Sequence, residues 1–124
     1  MNSKLPPFKS FNDLQVWQRA HELAVFTYQV TQNLPKHEMY GLSSQLRRAA
    51  VSTAANIVEG TKRRTTHDLC HFLTMAEGSN EELKYLFLLG RDLAYFQTAS
   101  YTQAFSLADR ISAMLFNLKR SLLN

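Results

Sequence analysis

The chain has 124 residues, 45% hydrophobic and 19% charged, a globular composition sized for one domain rather than a disordered one. Lys and Arg number 14 against 10 Asp and Glu, which leaves a mildly basic net charge of +4. A single cysteine, Cys70, excludes an internal disulfide framework, and neither a signal-peptide run nor a transmembrane stretch of roughly 18 apolar residues is present, so a cytoplasmic protein with no membrane partner is expected.

The punctuation points to helices. Proline stands only at Pro6, Pro7 and Pro35, and glycine only at Gly41, Gly60, Gly78 and Gly90. Strands joined by turns need far more of both. Residues 1–10 read as a flexible N-terminal segment and 11–124 as a single helical domain.

The first helix is expected over about Asp13 to Gln32, with Asn12 as N-cap, Phe11 stapled onto the first turn and Pro35 ending the element. Val16, Ala20, Leu23, Thr27 and Val30 step by four and three, with Trp17, Ala24, Tyr28 and Thr31 beside them. Val25 and Phe26 fall outside that arc and, with Phe8 and Phe11, point to a second buried surface.

The second helix starts at Glu38 or Ser43 and runs to Glu59, with Gly60 as its C-cap. Ala49-Ala50-Val51-Ser52-Thr53-Ala54-Ala55 is almost entirely small residues, and Ala50 and Ala54 are expected to let a neighbouring backbone approach closely. A polar stripe of Gln45, Ser52, Asn56 and Glu59 crosses the same helix, as structural or interface groups; Arg48 is a candidate partner for Glu59.

The third helix spans about Thr66 to Phe96. Leu69, Leu73, Ala76, Asn80, Leu83, Phe87 and Gly90 form an unbroken series that runs in phase through Gly78-Ser79, so one continuous helix is expected there. After a loop over 97–100 the fourth helix repeats the pattern at Tyr101, Ala104, Ala108, Ile111, Leu115, Leu118 and Leu122. Four such helices with short connections specify an all-α, antiparallel up-down-up-down four-helix bundle.

The search for chemistry returns little. There is no phosphate-binding glycine loop, no nucleophile elbow, no dinucleotide fingerprint and no Glu-x-x-His pair for a di-iron site. A non-enzymatic protein without cofactor or metal is expected. His67, Cys70 and His71 share one helix face at i, i+3 and i+4, but a structural zinc site needs four ligands, so a metal-binding bundle is a remote alternative. Glu77, Glu81 and Glu82 read as a solvated face near Lys84.

Charge is the informative signal. Residues 47–64 hold five cations, Arg47, Arg48, Lys62, Arg63 and Arg64, against one acid, Glu59, while the rest of the chain balances nine against nine. These cations form two patches, about 22 Å apart along a helix. They are candidate phosphate contacts; equally, Lys62–Arg64 would neutralise the negative end of the second helix. No aromatic residues interleave the basic loop, so base stacking has no support from it.

The segments FNDLQVWQRA over 11–20, YGLSSQLRRAAVS over 40–52, ANIVEG over 55–60, and FL, AEGS and EL between Phe72 and Leu83 resemble the four-helix bundle proteins encoded in 23S rRNA intervening sequences. That family is similar to the accessory variability proteins of diversity-generating retroelements. The resemblance covers about residues 8–123; Val58 stands where the family often has alanine. It implies a bundle assembled as a ring-like homopentamer in the bacterial cytoplasm, linked to RNA or to a reverse transcriptase; the basic patches themselves make RNA or DNA the candidate partner. The competing reading is a structural scaffold for protein partners with no nucleic-acid binding. A subunit interface along the first two helices would cover Phe11 and Phe26 and supply partners for the polar stripe.

Overall fold

The computed structural model describes residues 10–124. The expected flexible segment therefore lies outside the described residues except for Ser10, as does Phe8. Among the described residues the fold is all-helical: α1 (Gln15–Thr31), α2 (Leu42–Gly60), α3 (Thr66–Asp92) and α4 (Thr98–Leu123), with short 3-10 turns over Phe11–Asp13 and Lys36–Glu38. Each helix packs against two others: α2 lies against α1 and α3, and α4 closes against α3 and α1.

The heptad-like series settle the core. Leu23, Leu46, Ile57, Leu69, Leu73, Leu83, Phe87, Ile111 and Leu115 are fully buried, and each such side chain gains roughly 1.5–3 kcal/mol by leaving water. Thr27, Thr31 and Thr53 are also buried, and each hydroxyl donates to the carbonyl four residues back at 2.7–2.9 Å. Asn80 sits among the apolar side chains of α3. Its Nδ2 donates to the Ala108 carbonyl and to Ser112 Oγ, both at 2.8 Å, while its Oδ1 is buried with no partner among the described residues.

Several helix ends differ from expectation. Asn12 does not cap α1. The chain first makes a 3-10 turn, in which Ser10 Oγ accepts the Asn12 N–H at 3.2 Å, and Leu14 takes the extended cap position. Phe11 does fold onto the first turn, edge-on to Trp17 with ring centroids 4.8 Å apart. Gly60 is the last residue of α2 rather than a left-handed cap, and no described glycine has positive φ. A Cβ there would come within 2.9 Å of Leu69 Cδ1 and 3.1 Å of Phe72 Cβ, so glycine serves the close crossing of α2 and α3. Helix α3 passes unbroken through Gly78-Ser79, as expected, yet stops at Asp92 rather than Phe96. Ala94 takes φ +62°, the Tyr95 N–H bonds the Gly90 carbonyl and the Ala94 N–H bonds the Arg91 carbonyl, each at 2.9 Å. That is a Schellman-type stop, and Phe96 then folds back to pack on Gly90 and Phe87.

Phe26 is half-buried against the core instead of lying on a separate surface. Ala50 is buried, as a close helix approach requires, whereas Ala54 is only half-buried. No helix is long and apolar enough to cross a membrane among the described residues.

Candidate nucleic-acid interface

The cations of residues 47–64 sit at opposite ends of α2. Arg47 and Arg48 lie in its second turn, and Lys62, Arg63 and Arg64 follow its last residue. Each has a different local cause for its position.

Arg47 is half-buried and fixed. Its Nε donates to Thr31 Oγ1 at 2.8 Å, the same hydroxyl that donates to the Thr27 carbonyl, and its guanidinium lies 4.7 Å from the Tyr28 ring centroid. Two contacts on α1 thus set the orientation of a side chain of α2, one of them a cation–π contact. Arg48 is exposed and makes no ion pair among the described residues.

The loop after α2 is built by backbone bonds. The Thr61 hydroxyl donates to the Val58 carbonyl at 2.7 Å, and the Lys62 and Arg63 N–H groups bond the Glu59 and Gly60 carbonyls. Thr65 Oγ1 then accepts the Asp68 N–H at 3.1 Å and starts α3. Arg63 Nε donates to the Glu59 carbonyl at 3.3 Å, and its guanidinium lies over Phe72 at 4.9 Å. Arg63 therefore does neutralise the carboxyl end of α2, as one of the two readings of this loop requires. Lys62 and Arg64 are exposed, and neither makes an ion pair among the described residues.

The polar stripe divides. Asn56 is half-buried and donates to the Ser52 carbonyl and hydroxyl, while Ser52 Oγ and Ser79 Oγ share a hydrogen bond of 2.8 Å. Gln45 and Glu59 are exposed. Glu59 does not hold Arg48: the two stand eleven residues apart on one helix, about three turns, beyond the reach of an ion pair.

Two hollows mark the outer face of α2. A polar cleft of about 620 Å³ is lined by Gln45, Arg47, Arg48, Ala49, Val51 and Ser52 of α2, by Tyr28 of α1, and by Ser79 and Glu82 of α3. Beside it, and sharing Tyr28 and Val51, lies an apolar groove of about 390 Å³ formed by Trp17, His21, Ala24, Val25, Ala54, Ala55 and Val58. The sequence pattern missed Tyr28, Ser79 and Glu82 as cleft residues, because they come from two other helices. Glu77 and Glu81 are not merely solvated: Glu77 pairs with Lys119, and Glu81 with Lys84, which also holds Asp109. His67 and His71 are exposed above a buried Cys70 whose thiol burial pushes upward, and no group of three or more His, Cys, Asp or Glu among the described residues could hold a metal ion.

A family model described as "23S rRNA-intervening sequence protein" matches residues 12–117. A crystal structure of a protein with unknown function from the S23 ribosomal protein family of Bacteroides thetaiotaomicron VPI-5482 superposes with a TM-score of 0.76. It is 22% identical and covers 84% of this chain and 97% of its own, a likeness of fold. No curated protein matches the sequence.

Proposed function

The chain belongs to the 23S rRNA-intervening sequence protein family, and on that premise we propose that it is a non-enzymatic, oligomeric bundle of the bacterial cytoplasm that associates with structured RNA or duplex DNA through phosphate contacts. The observation that carries this reading is the placement of charge. The whole net charge arises in residues 47–64, and Arg48, Lys62, Arg63 and Arg64 are exposed with no ion pair among the described residues. A cluster of exposed cations with no acidic partner is the electrostatic footprint of a polyanion contact; Arg48, Lys62 and Arg64 are the open members, while Arg63 also holds the Glu59 carbonyl and the Phe72 ring. A reverse transcriptase or another protein bound to the same nucleic acid is a compatible partner.

An up-down-up-down course, each helix antiparallel to the next, is supported by the contacts between neighbours. On α2 and α3 they run from Ser52 with Ser79 to Gly60 with Leu69 and Phe72. On α3 and α4 they run from Glu77 with Lys119, through Asn80 with Ala108, to Lys84 with Asp109. Self-association through the apolar groove between α1 and α2 would repeat each basic loop around a ring and raise avidity without new contacts.

Filter binding of RNA and duplex DNA at several salt concentrations tests the reading. Each phosphate contact adds about 0.7–0.9 to the magnitude of the slope of log affinity against log salt. The K62A/R63A/R64A chain is expected to give a flatter slope with its helical content intact. Absence of retention by the wild-type chain at low salt would overturn the proposal.

A further inference from the structure

We propose that the polar cleft on the outer face of α2 is a binding site for an unpaired guanine nucleotide, with Arg48 on the phosphate, Arg47 beneath the base and Glu82 on the base edge. At about 620 Å³ the cleft falls in the ~300–1,000 Å³ range of small-molecule sites and has room for more than a phosphate ion.

Its lining has mixed polarity, and that decides the class of ligand. Arg47 and Arg48 favour an anion, yet Glu82 stands in the same cleft, exposed and without an ion pair among the described residues. A duplex backbone presents only acceptor oxygens along such a surface and would meet repulsion at Glu82. An unpaired nucleotide presents both kinds of group: phosphate oxygens for an arginine and, on its open pairing edge, N–H donors for a carboxylate. Guanine offers N1–H and N2–H side by side, the arrangement that two carboxylate oxygens accept together. Uracil offers one N–H between two carbonyl oxygens, which a carboxylate repels.

The platform is already in place. The Arg47 guanidinium carbon lies 4.7 Å from the Tyr28 ring centroid, and the Nε bond to Thr31 Oγ1 restrains its orientation. Unpaired bases stack on guanidinium planes as they do on aromatic rings. The Ser52 and Ser79 hydroxyls and the Gln45 amide complete the polar lining and could meet the ribose. No aromatic residue interleaves the basic loop; the aromatic support here is Tyr28 on α1, brought beside Arg47 by the fold.

The proposal deepens the phosphate reading at Arg48 and is independent of the Lys62–Arg64 loop. Isothermal titration of the intact chain with 5′-GMP, 5′-UMP and inorganic phosphate tests it, and the strands UUGUU and UUUUU distinguish a guanine within RNA from a free nucleotide. The expected result is saturable GMP binding about tenfold tighter than UMP or phosphate. Arg48→Ala is expected to weaken GMP by about tenfold, and Glu82→Gln to erase the preference over UMP while binding persists. Tighter binding of UUGUU than of UUUUU would assign the site to RNA, and GMP binding without that difference to a free nucleotide. Equal affinity for GMP and UMP, or an Arg48→Ala titration like that of the wild type, would overturn the proposal. Duplex retention on filters reads the Lys62–Arg64 loop separately, so failure of one reading leaves the other decided by its own measurement.

Discussion

Ala94 carries a backbone conformation that the sequence does not announce. At φ +62° its Cβ crowds the following carbonyl, a strain of about 1–2 kcal/mol that glycine would not feel. The surrounding bonds hold it there: the Tyr95 and Ala94 N–H groups close the end of α3, and Phe96 fills the space over Gly90. Ala94→Gly is therefore expected to stabilise the chain by roughly 1 kcal/mol, partly offset by the greater freedom of glycine in the unfolded state. A urea midpoint that rises with an unchanged m-value checks this, and a lowered midpoint would show that Ala94 is not strained. Most α-helices that stop this way place glycine at the left-handed position. With alanine there, the apolar periodicity runs on to Phe96 and only the bonding of the backbone reveals the true end. Asn80 is the converse case. Its burial was legible from its place in the four-three series, but its two bonds to α4 were not, since they depend on which carbonyl and hydroxyl the neighbouring helix presents.

At the scale of elements, Glu38 joins two connections that lie far apart in sequence. Its Oε1 accepts the Leu42 N–H at 3.0 Å and so caps α2, which lacks a capping side chain at Gly41, while its Oε2 accepts the Tyr95 hydroxyl at 2.8 Å beyond the end of α3. The Leu42 N–H first and then the Tyr95 hydroxyl hold the carboxyl below its ordinary value of 4.5; desolvation opposes them, and the nearby His37 adds the least. A carboxyl depressed in the folded state contributes stability above its unfolded pKa and loses it as pH falls through the folded value. The deficit of Glu38→Gln relative to wild type is accordingly expected to be largest near neutral pH and to shrink below pH 4.5. Urea midpoints of the two chains at pH 7 and pH 3 measure it; a deficit that stays constant would show that the charge on Glu38 plays no part. The sequence placed Glu38 at one of two starting points for the second helix. Its side chain caps the helix from four residues upstream instead, a relation that depends on the intervening 3-10 turn.

At the scale of the molecule, four amphipathic stripes were enough to read an all-helical fold, because burying a 3.6-residue periodicity leaves few other solutions. The two hollows on α2 were not readable, since the walls of the polar cleft come from three helices and those of the apolar groove from two. The small residues Ala49 and Ser52 signal a low surface but not what stands beside it. The surface expected around the stray aromatics does not lie at Phe11 and Phe26. Phe11 and Phe26 are partly buried within the chain, while Val25, at 44% exposed, and Tyr28 and Val51 remain open around an apolar lining. On the proposed self-association, this apolar groove would be the seam for a second copy. Light scattering of the wild-type chain in physiological salt is expected to give a mass near that of about five chains, a closed ring. Val25→Glu puts an unpaired carboxylate into that seam, where burying it costs several kcal/mol per copy. It touches neither the core nor the polar cleft, so the variant is expected to run as a monomer with unchanged helical content. A wild-type monomer would remove the ring altogether, and a Val25→Glu chain of unaltered mass would place the subunit contact on another face.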